Sequence, residues 1–204
     1  ATTLGLIFEM ANNGAVSYTT TANSGKDLNN DGQTGNDLMW IPRTQDDIIL
    51  VKDFAGDPRS AQQTWEQLNA FINQDKYLSS HRGQYAERNG VILPYFKRLD
   101  LHFAQDFFVN VGKTKNTLEF TADIINFGNL LNKNWGLYQD SFTGFNNGNT
   151  AVLKYQGPDQ SGRPTYSFPY LNRTTLTPVT TSFVNEIGQI SRYQVQLGFR
   201  YIFN

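Results

Sequence analysis

The residue types best suited to chemistry come early: Asp27, Leu28, Asn29, Asn30, Asp31 and Gly32 spell D-x-N-x-D-G, the opening of a calcium loop. Such a loop sets hard oxygen ligands at alternate positions and a glycine at its sharp turn, so that one cation is wrapped. The closing half is imperfect. Leu38 stands where a bidentate acid belongs, with Asp37 one residue early and Asn36 two. Two readings therefore stand side by side: Ca2+ held by Asp27, Asn29, Asp31, Asn36 and Asp37, or a solvated Asn/Asp/Gly turn at a loop tip. His81 and His102 are too few and too isolated for a histidine metal site. Asp46 and Asp47 are adjacent, so in an extended chain they point opposite ways, and no base or nucleophile motif accompanies them. Neither a G-x-S-x-G elbow nor a phosphate-cradling G-x-x-x-x-G-K-S/T occurs, so the expectation is a protein that is not an enzyme.

Aromatic side chains are the other candidates. Trp40, Tyr85, Trp135 and Tyr138 fall in or beside stretches that read as loops, where they could stack on a sugar or a peptide. The competing role for Trp135 is an interfacial girdle, with the ring at a membrane edge. Trp65 belongs to the apolar face of an expected helix, which favours packing.

These residues need strands to position them. Tyr193, Val195, Leu197, Phe199, Tyr201 and Phe203 alternate with Gln194, Gln196, Gly198, Arg200 and Ile202, which predicts a strand with one apolar face. Leu99 to Val111 repeats the pattern, with Asp100, His102 and Asp106 on the second face, and Leu118 to Ile124 does so with Glu119 and Asp123. A long hairpin over 98–127 follows, turning through Gly112 to Asn116. Further strands are expected over Leu4 to Met10, Ala15 to Thr21, Ala151 to Tyr155 and Thr165 to Tyr170, with Asn12, Asn13 and Gly14 as a turn or bulge. Gly128 to Thr150 and Leu171 to Ile190 read as long loops, so short turns alternate with long connections. Within 22–97 the pattern leaves strand periodicity: Asp57 and Pro58 suit an N-cap and N1 pair, and Ala61, Trp65, Leu68 and Ile72 predict a helix near 59–74.

Composition narrows the setting. No apolar run approaches the ~20 residues of a transmembrane helix, yet 15 Phe and 10 Tyr accompany a mean hydropathy of -0.48. Strands apolar on one face only, joined by polar loops, reconcile the two. The 17 basic and 18 acidic side chains leave a net charge of -1, which argues against nucleic acid as a partner. With no cysteine, neither disulfides nor thiolate metal sites arise. Ala1 to Glu9 lacks the features of a signal peptide, so an exported protein would begin upstream.

Several phrases carry a family resemblance: Asn36-Asp37-Leu38-Met39-Trp40-Ile41-Pro42; Tyr77-Leu78; Arg82-Gly83-Gln84-Tyr85-Ala86-Glu87-Arg88-Asn89-Gly90; Pro94 ahead of Leu99-Asp100-Leu101. They continue through Ile125-Asn126-Phe127-Gly128-Asn129-Leu130-Leu131-Asn132 and Trp135-Gly136 to Gln196-Leu197-Gly198-Phe199-Arg200-Tyr201-Ile202-Phe203. In that order, over most of the chain, they resemble the C-terminal barrel region of Oar-like TonB-dependent receptors. The resemblance implies a 22-stranded outer-membrane barrel with a plug, importing a bulky glycan, peptide or metal chelate with energy passed on by TonB. It implies outer-membrane lipid, the remaining barrel, the plug, TonB through the plug and a surface lipoprotein as partners. Residues 22–97 become a large extracellular loop region, and Asp100, Asp106, Glu119, Asp123 and Arg200 line the lumen. The sequence departs from the family in lacking the plug and most strands, which suggests a fragment, and Asn204 stands one residue past the expected terminal aromatic. Two rivals remain: a small stand-alone barrel or adhesin, and a soluble carbohydrate-binding β-sandwich with its apolar faces packed together.

Overall fold

The computed structural model describes residues 1–23, 26–143 and 149–203. With 46% strand, 15% helix and mostly antiparallel pairing, the chain belongs to the all-β class. Strands and helices are numbered in chain order, with β10 at Gln139–Ser141 and β13 at Phe183–Asn185. Two compact units emerge: Ala1–Asn13, Pro94–Gln139 and Asn185–Asn204 form a sheet unit, and Gly14–Leu93 with Asp140–Val184 form a core unit.

The sheet unit is one antiparallel layer in the order β1 (Thr2–Asn12), β8 (Tyr95–Val111), β9 (Thr114–Ile125), β14 (Gln194–Phe203). Register aligns the alternating patterns across all four strands. Leu6, Leu101, Ile124 and Val195 form one cross-strand row, and Leu4, Phe103, Ala122 and Leu197 the next. Because side chains alternate, every second row is mainly apolar, with Thr2, Gln105, Asn116 and Lys97 among the polar members, and the rows between carry most of the charged groups. Leu197 and Phe199 are 61% and 73% exposed, so no second layer packs against them as a sandwich would require. Among the described residues the sheet is open, with β1 and β14 at its edges, and no closed barrel forms.

The β8–β9 turn is tighter than its sequence suggested. Val111 pairs with Thr114, leaving Gly112 and Lys113 as a two-residue loop. Gly112 has φ +63°, the positive value a type II′ hairpin needs at its first central position. Asn12 pairs with Tyr95 and Gln194 with Ile125, so both long connections leave from the opposite end of the sheet. The open sheet thus has one short turn at one end and two long connections, 13–94 and 126–193, at the other, whereas the second expected short turn, Gly157 to Arg163, belongs to the core unit. Asn204 lies outside the described residues, as do Ser24, Gly25 and 144–148 within the expected loops.

The core unit corrects two expectations. Ala15 to Thr21 and the pair around Ala151 and Thr165 do not extend the open sheet; they build a second one around a hydrophobic centre. Its strands β2 (Ala15–Ala22), β3 (Asp37–Leu38), β5 (Ile49–Leu50), β11 (Asn149–Pro158) and β12 (Pro164–Ser167) follow the order β3-β2-β11-β12-β5, with β7 (Val91–Ile92) also on β2. The β2–β11 and β12–β5 pairs are parallel. A ladder of β4 (Trp40–Ile41) with β6 (Gln84–Tyr85) and helices α1 (Ala61–Gln74) and α2 (Lys76–Ser80) complete it. Tyr18, Met39, Ile41, Leu68, Phe71, Ile72, Leu78 and Phe168 are almost fully buried together.

The helix starts at Ser60, not at the expected Asp57–Pro58 pair. Ser60 Oγ accepts from Gln63 N (3.2 Å) and Gln63 Oε1 from Ser60 N (2.9 Å), a capping box that satisfies two end amides. Asp57 is engaged elsewhere. It accepts from Arg59 Nη2 (2.9 Å), Arg59 Nε (3.1 Å) and the amides of Asp53 and Arg59, while Arg59 lies 3.8 Å over the Tyr170 ring and donates to Phe168 O. Burial alone would push the Asp57 carboxyl up; the Arg59 and backbone hydrogen bonds outweigh it and hold it well below the usual range. A second buried carboxylate, Asp75, accepts from Tyr18 Oη, from Ser182 Oγ (2.5 Å) and from the α2 amide of Leu78 (2.9 Å). It caps α2 while joining it to β2.

Removing one partner of a buried, hydrogen-bonded ion pair typically costs about 3–5 kcal/mol, because the other charge stays buried. Asp57→Ala should therefore lower urea-unfolding stability of the core unit by that order, and a loss below about 1 kcal/mol would contradict the assignment. The folded pKa of Asp57 lies below its unfolded value. Its contribution is thus present above the ordinary carboxylate range and lost as the pH falls toward the folded value.

Candidate functional site

The residues expected to line a lumen share one face of the open sheet. Asp100, His102 and Asp106 of β8, Glu119 and Asp123 of β9 and Arg200 of β14 all have the parity opposite to the apolar rows. His102 Nδ1 meets Asp123 Oδ1 at 2.6 Å, with Gln196 next across the ladder. Asp106, Glu119 and Arg200 form one row, so Arg200 offsets two acids that would otherwise repel as direct neighbours. Toward the end with the long connections, Arg98 bridges Glu9 (2.8 Å) and Asp100 (3.1 Å), and Asp100 also accepts the Asn126 amide (2.7 Å). Four acids, a histidine and Arg200 aligned at this spacing make a hydrated wall able to contact polar solutes.

In the core unit, the β4–β6 ladder brings Trp40 opposite Tyr85, and their rings meet edge to face at 5.1 Å. With Tyr166, Asp46 and Arg163 they line an open groove of about 370 Å³. Tyr166 and Arg163 come from β12 and the turn before it, and their role was not readable from local pattern. Burial, then the phenols of Tyr85 and Tyr155, push the Tyr166 hydroxyl up to about 12. It thus stays a neutral donor at ordinary pH. Asp47 is not part of the groove's free chemistry, since Arg43 backbone N–H (2.9 Å) and Nε (3.2 Å) both donate to it. Asp46 is exposed and has no such partner among the described residues. Rings, a carboxylate and a guanidinium around one opening suit a polar organic ligand with apolar faces.

The Asp/Asn segment does come together. Asp27 accepts from Asn29 N (3.2 Å) and Gly32 N (2.6 Å), while Asp31 accepts from Gln33 N (2.8 Å), Asn29 Nδ2 (3.2 Å) and Asn36 Nδ2 (2.8 Å). Asn30 and Gly32 take positive φ, of 59° and 87°, which lets the chain reverse. Asp37 instead pairs with Thr20 in the sheet and is buried. Burial first, then the charges of Asp27 and Asp31, push its carboxyl up, whereas the Asn36 and Gln33 donors hold Asp31 down. Among the described residues, no three acid or histidine side chains stand close enough to share a metal ion. The donor set is that of a self-satisfied turn, with side-chain amides aimed at Asp31 as donors.

Trp135 and Tyr138 belong to a clamp after β9. Asn126 ends that strand at φ +55° and donates Nδ2 to Gly136 O (2.9 Å); a Cβ at Gly136 would lie 1.8 Å from Asn126 Oδ1. Only glycine fits there. Asn129 donates to Lys133 O and Trp135 O, which closes the turn after helix α3 (Phe127–Leu131). Trp135 is exposed at this end of the sheet, while Tyr138 packs 6.0 Å from Phe96. Neither shares the groove of Trp40 and Tyr85.

Calorimetry with calcium to millimolar concentration should give no saturable heat, since Asp31 is already held by three donors. A saturable heat abolished by Asp31→Ala would establish the cation reading instead. Compared with known proteins, the chain matches no family model, no curated protein and no solved structure.

Proposed function

We propose that the chain is a wall segment and surface domain of a TonB-dependent outer-membrane transporter that imports a bulky nutrient ligand. The observation that carries this reading is the uncovered apolar face of the open sheet, from Leu4, Leu6 and Phe8 to Phe199 and Phe203, all more than half exposed. A soluble protein rarely leaves so large a contiguous apolar face bare. Its dimensions suit a bilayer. Leu99 to Val111 covers about 40 Å of strand at about 3.4 Å per residue, hence about 28 Å when tilted by about 45°, against an apolar band about 25 Å tall.

On this reading the opposite face, with Asp100, Asp106, Glu119, Asp123 and Arg200, lines a wet lumen. Among the described residues no further strand flanks β1 or β14, and on this reading the rest of the barrel pairs those edges, because lipid cannot hydrogen-bond an open one. The rest of the barrel, the plug, TonB acting through the plug, and a surface lipoprotein would be the partners, and outer-membrane lipid the solvent. Long connections leave from one end only, as in outer-membrane barrels, where that end faces outward. The core unit and its Trp40–Tyr85 groove would then meet the ligand outside the cell. TonB dependence itself rests on the resembling phrases. The chain does no covalent chemistry in this role.

Folding of the chain together with the remaining strands of its barrel into lipid vesicles tests the reading at two neighbouring positions. Leu197→Arg should cost about 2–4 kcal/mol near the bilayer midplane, whereas Gln196→Arg on the polar face should cost little. Equal sensitivity at both positions would contradict a lipid-facing strand.

A further inference from the structure

The apolar face of the sheet carries one charged side chain among the described residues, Lys97 of β8. It shares the parity of Leu99, Leu101 and Phe103, pairs across the ladder with Met10, and lies toward the end where the long connections leave. It is exposed, and no acid or carbonyl engages its ammonium group. A lone cation on a lipid-facing surface is costly at the bilayer centre and tolerated at the rim, where it can reach headgroups.

Lys97 also borders a groove of the sheet unit, about 600 Å³ in volume, whose lining combines Tyr95, Phe8, Leu99, Leu131 and Trp135 with four amide side chains. No aspartate or glutamate lines it. Arg98, the other cation there, is already engaged by Glu9 at 2.8 Å and Asp100 at 3.1 Å. The groove therefore combines one free positive charge, apolar walls continuous with the lipid-facing rows, and two rings of the interfacial type. That combination complements an amphiphile with an anionic head and a hydrocarbon tail.

We propose that this groove seats the phosphate headgroup of a bilayer lipid, with Lys97 Nζ on the phosphate and Phe8, Leu99, Leu131 and Trp135 against the acyl chain. The inference rests on the membrane reading above and adds a defined lipid site to it. Lysine acts here as a point charge, so an anionic lipid, whose phosphate has no cationic partner of its own, is preferred over a zwitterionic one.

The test uses the chain assembled with the remaining strands of its barrel in phosphatidylcholine vesicles carrying trace spin-labelled phosphatidylglycerol or spin-labelled phosphatidylcholine. The motionally restricted fraction of each label is then compared. Wild type should restrict phosphatidylglycerol about fivefold more strongly, the selectivity expected of one cation near a membrane surface. Lys97→Gln should remove that preference, Lys97→Arg should keep it, and Lys113→Gln at the opposite end of the sheet should leave it unchanged. Inorganic phosphate at millimolar concentration should not displace the labelled lipid, because it lacks the chain that the apolar walls hold; displacement would mean a simple anion site and overturn the proposal. Equal restriction of both lipids by wild type, or undiminished preference in Lys97→Gln, would also overturn it. Restriction of neither label would remove the membrane reading itself, and the lipid site with it.

Discussion

Pairing register is the constraint on which the sheet unit depends. Side chains in a strand alternate with period two, so a slip of one residue would send every apolar group to the polar face. Four strands must agree for Leu6, Leu101, Ile124 and Val195 to stand in one row and for His102, Asp123 and Gln196 to stand in the next. The two-residue turn at Gly112 and Lys113 sets β8 against β9, and His102 with Asp123 gives a polar cross-strand contact in the same register. Asn126, with its neighbours Asp100 and Gly136, then fixes where β9 ends.

The core unit follows a different logic, that of a hydrophobic centre with buried carboxylates, among them Asp57 and Asp75. Each is surrounded by donors, as burial demands. Asp57 takes Arg59, Tyr170 and two amides; Asp75 takes Tyr18, Ser182 and the α2 amide of Leu78. Asp53 adds a third arrangement, accepting both Nε (2.8 Å) and Nη2 (3.0 Å) of Arg173. These contacts tie residues 53–59 to residues 167–173, far apart in the chain, and so hold the surfaces from which the aromatic groove is built.

Legibility in the sequence tracked how local the cause was. β14, β8 and β9 were readable because alternation is a property of neighbouring residues, and the same parity placed Asp100, Asp106, Glu119, Asp123 and Arg200 on one face. Ala15 to Ala22 also looked like an ordinary strand, but its assignment to a second, buried sheet depends on parallel pairing with Asn149–Pro158, which no local pattern records. Asp57 next to Pro58 satisfied the rule for a helix start; what displaced it was Arg59, whose guanidinium claims that carboxylate before Ser60 caps the helix. Tyr166 joins Trp40 and Tyr85 only through tertiary packing. Lys97 shares the face of Leu99, two residues on, but a lone cation interrupts the apolar alternation and so hides the true start of the strand.

The central claim is that the odd-numbered face of β14 meets hydrocarbon and the even-numbered face meets water. The chain has no cysteine, so single cysteines can be placed and spin-labelled in turn at each position from Gln194 to Phe203, with the chain assembled with the remaining strands of its barrel in a bilayer. The account predicts that collision rates with oxygen, which concentrates in lipid, rise at 195, 197, 199 and 201. Rates with a water-soluble nickel chelate should rise at 194, 196, 198 and 200. Absence of that period-two alternation, or nickel access at Leu197 and Phe199 equal to that at Gln196, would contradict it.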